Sequence, residues 1–123
     1  MTEEEIRECG KSWQLVLGLT DWEIVWKKCR REDFDSREQQ GEVKYCSDIK
    51  QAIIKIMDEI DWDNPDFTQD QEKVVVHELL HLKFHLLDKV KGEIWDLIIH
   101  QYVEELAKSY VATKRKWGDS DVT

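Results

Sequence analysis

The chain has few of the residues that mark several classes of protein. Its 123 residues include only three cysteines, at Cys9, Cys29 and Cys46. Because their number is odd and no two are close together, they favour neither a disulfide framework nor a cysteine zinc knuckle. One proline and five glycines, with 41% hydrophobic residues, are not the composition of a disordered chain. We therefore expect a folded domain with free thiols.

Positive charge and long apolar runs are also scarce. The chain has 18 Lys and Arg against 27 Asp and Glu, a formal net charge of −9. Because this charge repels phosphate backbones, a nucleic-acid-binding function is disfavoured. The acidic residues 1–5 and the short apolar run at residues 15–17 match neither a signal peptide nor a membrane span. We therefore expect a cytoplasmic protein without nucleic-acid or membrane partners.

The first half of the chain predicts a helix followed by strands. Thr2 and Glu5 have the spacing of a capping box, and apolar residues then recur at helical spacing up to Gly18. After Gly18 the apolar period changes to two, which indicates strands. For the last of them, a helix over residues 49–60 is the competing interpretation. The predicted strands cover residues 22–30, 42–47 and 51–57.

The second half predicts two helices. Thr68 and Gln71 have the spacing of another capping box, and the run over residues 73–87 is apolar nearly all round. Such a helix belongs in the centre of a fold. A long amphipathic helix follows over residues 93–116.

Together these elements predict an α+β fold: an N-terminal helix, a small three-stranded sheet, a central helix and a long C-terminal helix. A chain of 123 residues has room for one domain of this kind. We assign that domain to residues 1–117 and a flexible tail to residues 118–123.

The central helix carries a motif with metal chemistry. His77 and His81 are four residues apart, so their imidazoles point from one helical face and can bind one Zn²⁺. Glu78 is rotated by about 100° from His77, which leaves its carboxylate beside a zinc-bound water and not on the metal. Zinc lowers the pKa of bound water to about 7, and Glu78 can accept the proton. The sequence therefore predicts Glu78 as a general base.

A catalytic zinc site needs one more protein ligand, and the last helix offers candidates: His100 and Glu104 first, then Glu93 and Glu105. His100 and Glu104 are one helical turn apart. We favour His100 as the ligand and Glu104 as the carboxylate that orients a ligand imidazole. The alternative makes Glu104 the ligand. His85 continues the row of His77 and His81, but a straight helix carries it away from the metal, so we expect a structural role.

His77, Glu78 and His81 match the short signature of the zincin metallopeptidases, and the order of elements resembles their gluzincin branch. The smallest members, the minigluzincins and small proteins of bacteria and phages, have about this length. Gluzincins use a glutamate as third ligand, often followed one turn later by a supporting acidic residue. On this layout His100 takes the ligand position and Glu104 the supporting one, and the histidine departs from the family pattern.

The resemblance implies a zinc-dependent metallopeptidase with one Zn²⁺, acting on peptides or proteins. It also implies that residues 51–57, as the strand nearest the motif helix, bind extended substrate by strand addition. One alternative is a non-catalytic or regulatory zinc-binding protein that acts through protein–protein contacts. Another is a helical interaction module with an accidental motif. Glu78 favours catalysis, because a structural zinc site closes with four protein ligands.

Overall fold

A computed structural model describes residues 1–36, 38–89 and 92–118. The described chain is α+β, which confirms the predicted fold class and order of elements. Short 3-10 turns join several elements, and a π turn follows the last helix. The helices and strands, in chain order, are α1 (Glu3–Leu17), β1 (Glu23–Cys29), β2 (Gly41–Cys46), β3 (Gln51–Met57), α2 (Gln71–Lys83) and α3 (Glu93–Thr113).

Helix α1 begins and ends where its sequence predicts. Thr2 Oγ1 accepts a hydrogen bond from the Glu5 amide at 3.1 Å, and the Thr2 amide donates to Glu5 Oε1 at 2.9 Å. This reciprocal pair satisfies two amides that have no partner within the helix. Gly18 then ends the helix in the left-handed region, with φ of 71°, which a glycine adopts without steric cost.

Helix α2 begins differently from the prediction. The side chain of Asp70 accepts a hydrogen bond from the Lys73 amide at 3.1 Å, so Asp70 is the N-cap. The predicted capping box at Thr68 and Gln71 is wrong, because aspartate is at least as good an N-cap as threonine and lies two residues nearer the apolar run. Gln71 is the first helical residue, and its side-chain amide donates to the Met57 carbonyl at 3.1 Å.

Helices α2 and α3 also end earlier than predicted. Helix α2 ends at Lys83 and gives way to a 3-10 turn over His85–Lys89. Helix α3 ends at Thr113, and Lys114–Gly118 forms the π turn. The predicted tail beyond Gly118 lies outside the described residues. Among the described residues, no helix is long and apolar enough to cross a membrane.

The sheet has the strand order β1-β3-β2, with β3 parallel to β1 and antiparallel to β2. Ala52, Ile54 and Ile56 are buried on one face of β3, while Ile53 on the other face is 40% exposed. Because this alternation has the period of a strand, the competing helix over residues 49–60 is wrong. The expectation that β3 adds a substrate strand is also wrong, since both of its edges are already paired with neighbouring strands.

Helix α2 lies in the middle of the protein. Every residue from 74 to 80 is buried, and α2 contacts α1, α3 and the strands β2 and β3. Val75, Leu79 and Leu82 are fully buried in one core with Ile54 of the sheet and Ala107 of α3. Each such side chain contributes about 1.5–3 kcal/mol by its burial. The helix that carries the sequence motif is therefore held rigidly from several sides.

Candidate metal centre

Helices α2 and α3 bring three histidines together. His77 and His81 lie one turn apart on α2, and His100 lies on the facing part of α3. One ligand nitrogen of each histidine lies within 4.8 Å of the other two. We call His77, His81 and His100 the three-histidine group. Among the described residues, this group can hold a metal ion.

The spacing of His77 and His81 fits a small tetrahedral ion. His77 Nε2 lies 3.2 Å from His81 Nε2. Zinc binds imidazole nitrogens at about 2.0–2.1 Å, so a tetrahedral ion would hold two of them about 3.4 Å apart. His100 is less buried than the other two, and its ring centroid lies 5.1 Å from that of His77 and 5.9 Å from that of His81. The donor set and the spacing of His77 and His81 are therefore compatible with a bound metal ion.

Glu104 orients the most buried of the three imidazoles. Glu104 Oε2 lies 3.1 Å from His77 Nδ1. Because an ionised carboxylate only accepts hydrogen bonds, this contact places the imidazole hydrogen on Nδ1 and leaves the Nε2 lone pair facing His81. Burial, followed by the charge of His81, lowers the pKa of His77 to about 4. His77 is thus neutral at pH 7, the form that binds a metal.

Glu78 is a buried carboxyl group on the wall of the same site. Glu78 is 7% exposed. Together with the three-histidine group it borders a cavity of about 430 Å³. Burial, and then the charges of Glu42 and Glu104, raise the pKa of Glu78 to about 8. A carboxyl group with a high proton affinity beside a cation-binding group is a typical acid–base arrangement.

We call the cavity bordered by the three-histidine group and Glu78 the metal cavity, after the ion that the group could hold. Another part of the lining of this cavity comes from the segment that leads into β2. Sequence reasoning does not identify this segment, which is polar and has no motif. A glycine at the start of a strand is the one available signal, because it marks close approach of another group. The residues of this part of the lining are Ser36, Glu38, Gln39, Gln40 and Gly41.

Comparison with known proteins adds no family to this description. No protein-family model, curated protein or solved structure matches the chain. The three-histidine group, Glu78 and Glu104 are the features that bear on function.

His85 lies outside the three-histidine group. Its Nδ1 donates to the Leu82 carbonyl at 2.8 Å, so its Nε2 is the nitrogen that accepts from Ser47 Oγ at 2.9 Å. The ring also packs edge-on against Trp22 and Tyr45. Both nitrogens are therefore engaged where the chain leaves α2 and contacts the end of β2, which is a structural role.

Proposed function

We propose that the protein is a zinc-dependent metallopeptidase that hydrolyses peptide bonds. The observation that carries the proposal is that Glu78 and the three-histidine group border one cavity. Three protein ligands leave one position of a tetrahedral zinc ion open, which distinguishes catalytic sites from closed structural ones. The carboxyl group needed for proton transfer is adjacent in sequence to His77, so the same rigid helix holds both.

The chain's own residues have separate tasks in this reaction. A bound zinc ion would polarise the scissile carbonyl and acidify the attacking water. A bound cation this close would favour the ionised form of Glu78, which would then accept a proton from that water and donate it to the leaving amine, so that one water is consumed and one peptide bond is broken. His77, His81 and His100 would hold the ion. Glu104 keeps the His77 ring in the orientation that binding requires.

The edge of β2 is the best position for an extended substrate. Strand β2 is an outer strand of the three-stranded sheet, and its first residue, Gly41, borders the metal cavity. Within the described part of the chain, no strand pairs with its outer edge. An extended peptide can add to such an edge through backbone hydrogen bonds. We therefore assign substrate binding to β2 in place of the predicted β3.

One observation favours the alternative of a non-catalytic metal-binding protein that acts through protein–protein contacts. Four apolar side chains of α3 and of the turn before it are between 57% and 76% exposed, and two of them, Ile94 and Leu97, share one helical face. Clustered exposed apolar residues often mark a surface that binds another protein. These residues are Leu86, Ile94, Leu97 and Tyr102.

Metal content and peptidase activity, measured on wild type and Glu78→Gln, test the proposal. We expect about one zinc per chain in both, and a loss of about 10²- to 10⁴-fold in kcat/KM against a fluorogenic peptide library for Glu78→Gln. Glu105→Gln makes the same change at an exposed glutamate of α3 and should leave activity intact. The non-catalytic alternative predicts a different result. Zinc-loaded wild type would cleave no peptide, and wild type and Glu78→Gln would bind a partner protein equally well.

A further inference from the structure

A chain of three polar side chains links α2 to α3 beside the metal cavity. Lys73 Nζ lies 3.3 Å from Glu104 Oε1, and Glu104 Oε2 lies 3.1 Å from His77 Nδ1. Lys73 and His77 are one helical turn apart on α2, so Glu104 of α3 spans both of them. Each oxygen of the carboxylate therefore has a different partner.

The environment of Glu104 makes the lysine contact important. The side chains of Lys73 and Glu104 are only 27% and 30% exposed. Glu104 Oε1 is shielded from solvent and has no hydrogen-bond partner of good geometry within the described part of the chain. A shielded carboxylate oxygen without compensation is costly, and the Lys73 ammonium at 3.3 Å supplies the nearby charge.

Glu104 has two possible roles at a zinc site, because a carboxylate can bind zinc directly or orient an imidazole that does. It lies one turn after His100 and within hydrogen-bonding distance of His77, so both roles are within its reach. Lys73 contacts the oxygen that faces away from His77. The lysine therefore favours the position in which the carboxylate orients the imidazole.

We propose that Lys73 is a positioning residue that holds Glu104 on His77 and thereby keeps the ligand set at three histidines. This inference rests on the zinc centre of the proposed function and deepens it. Lys73 itself contacts neither the metal nor the substrate. Its effect is on the geometry of ligation, which can be measured without any turnover.

Lys108 provides a matched control for charge. It lies one turn after Glu104 on α3 and also acts on Glu104 through its charge, but its side chain is exposed. Lys108→Met removes the same charge as Lys73→Met from the surroundings of Glu104. Only Lys73→Met removes the 3.3 Å contact. A difference between the two variants thus separates positioning from general electrostatics.

The experiment measures zinc affinity by competition with a chelating dye, and the visible spectrum of the cobalt-substituted protein. We expect Lys73→Met to weaken zinc binding about 10-fold, the lower end for loss of an outer partner of a metal ligand. Its cobalt spectrum should also change, because the ligand set or its geometry changes. Lys73→Arg should restore most of both properties. Adding Lys73→Met to Glu104→Ala should have little further effect, since the lysine acts through Glu104.

Two outcomes would overturn the inference about Lys73 without touching the proposed function. One is a Lys73→Met protein with wild-type zinc affinity and cobalt spectrum, and another is an equal effect of Lys108→Met. If Lys73→Met does not fold by circular dichroism, Lys73→Gln replaces it under the same criteria. Wild type that binds zinc but hydrolyses no peptide would sink the peptidase proposal alone, while the affinity comparison still decides the role of Lys73. Wild type that binds neither zinc nor cobalt would overturn both.

Discussion

Gly41 lies directly against Glu78. A Cβ atom at position 41 would be 3.0 Å from both Cγ and Oε2 of Glu78, and 2.6 Å from Cγ1 of Val74. Positive φ angles among the described glycines occur at Gly18 and Gly92, so position 41 requires glycine for space and not for backbone conformation. The missing side chain lets β2 approach the helix that carries His77 and His81.

We predict that Gly41→Ala both destabilises the fold and weakens zinc binding. Overpacking at a buried contact typically costs about 1–3 kcal/mol. Here the new Cβ would press on the side chains of Val74 and Glu78, which lie on the same helix as the proposed ligands His77 and His81, so we expect the ligand geometry to shift as well. Gly10→Ala is the matched control, because its new Cβ would overlap the Trp26 ring on another side of the core. Urea unfolding and zinc titration of both variants check this, and an equal loss of zinc affinity in Gly10→Ala would contradict it.

The third ligand can be identified by comparing His100→Ala with Glu104→Ala. Removing a residue that orients a ligand typically costs about 10- to 100-fold in metal affinity. We expect Glu104→Ala to fall in this range and His100→Ala to lose more, because it removes a donor from the ion itself. Competition with a chelator gives both affinities. The opposite order would make Glu104 the ligand.

On the proposed function, zinc should stabilise the folded protein, because the histidines proposed to bind it come from two separate helices. At a free concentration of 100 times Kd, a ligand specific to the folded state adds about 2.7 kcal/mol to the free energy of unfolding. We expect the midpoint temperature of thermal unfolding to rise with zinc and to fall back when a chelator is added. His77→Ala should abolish this zinc-dependent rise. His85→Ala should unfold at a lower temperature than wild type yet retain the full zinc shift. Loss of that shift would place His85 at the metal.

Acid should weaken the link between the end of β1 and the turn after β3. Asp61 accepts hydrogen bonds from Arg30 Nε at 2.8 Å, Arg30 Nη2 at 3.1 Å and the Arg31 amide at 2.8 Å. The Arg30 hydrogen bond, followed by that of the Arg31 amide, lowers the pKa of Asp61 to about 2. An unfolded aspartate has a pKa of about 3.9. Ionised Asp61 therefore makes its full contribution to the free energy of unfolding above about pH 4. This contribution is lost as the pH falls from about 4 to about 2.

The Asp61→Asn variant checks this contribution. It should have a lower urea midpoint than wild type at pH 7, and the difference should shrink between pH 4 and pH 2. Asp66→Asn removes the same charge from an exposed aspartate of the following loop. If Asp66→Asn gave the same pH dependence as Asp61→Asn, net charge and not the arginine contact would be responsible.

Much of the local structure could be predicted from the sequence. The bounds of β3 are those predicted from its period-two alternation, and the capping box of Thr2 and Glu5 begins α1. Asp70 shows where such reasoning fails. Two side chains near α2 were able to cap it, and the position of the helix within the core selects between them.

The order of strands in the sheet could not be predicted in the same way. The alternation in β2 and β3 indicates that each is a strand, but not which one occupies the centre. The tertiary structure places β3 between its neighbours and leaves β2 beside the metal cavity. Gly41 at the start of β2 signals only that some group comes close, and the sequence does not show that this group belongs to α2.

His77, Glu78 and His81 illustrate what the sequence by itself determined. A helix repeats every 3.6 residues, so two histidines four apart share a face wherever the helix lies. The addition of His100, and of Glu104 bridging His77 and Lys73, was decided only by the tertiary structure. Those contacts depend on how α3 is aligned against α2, and that alignment is set by the packing of the whole core.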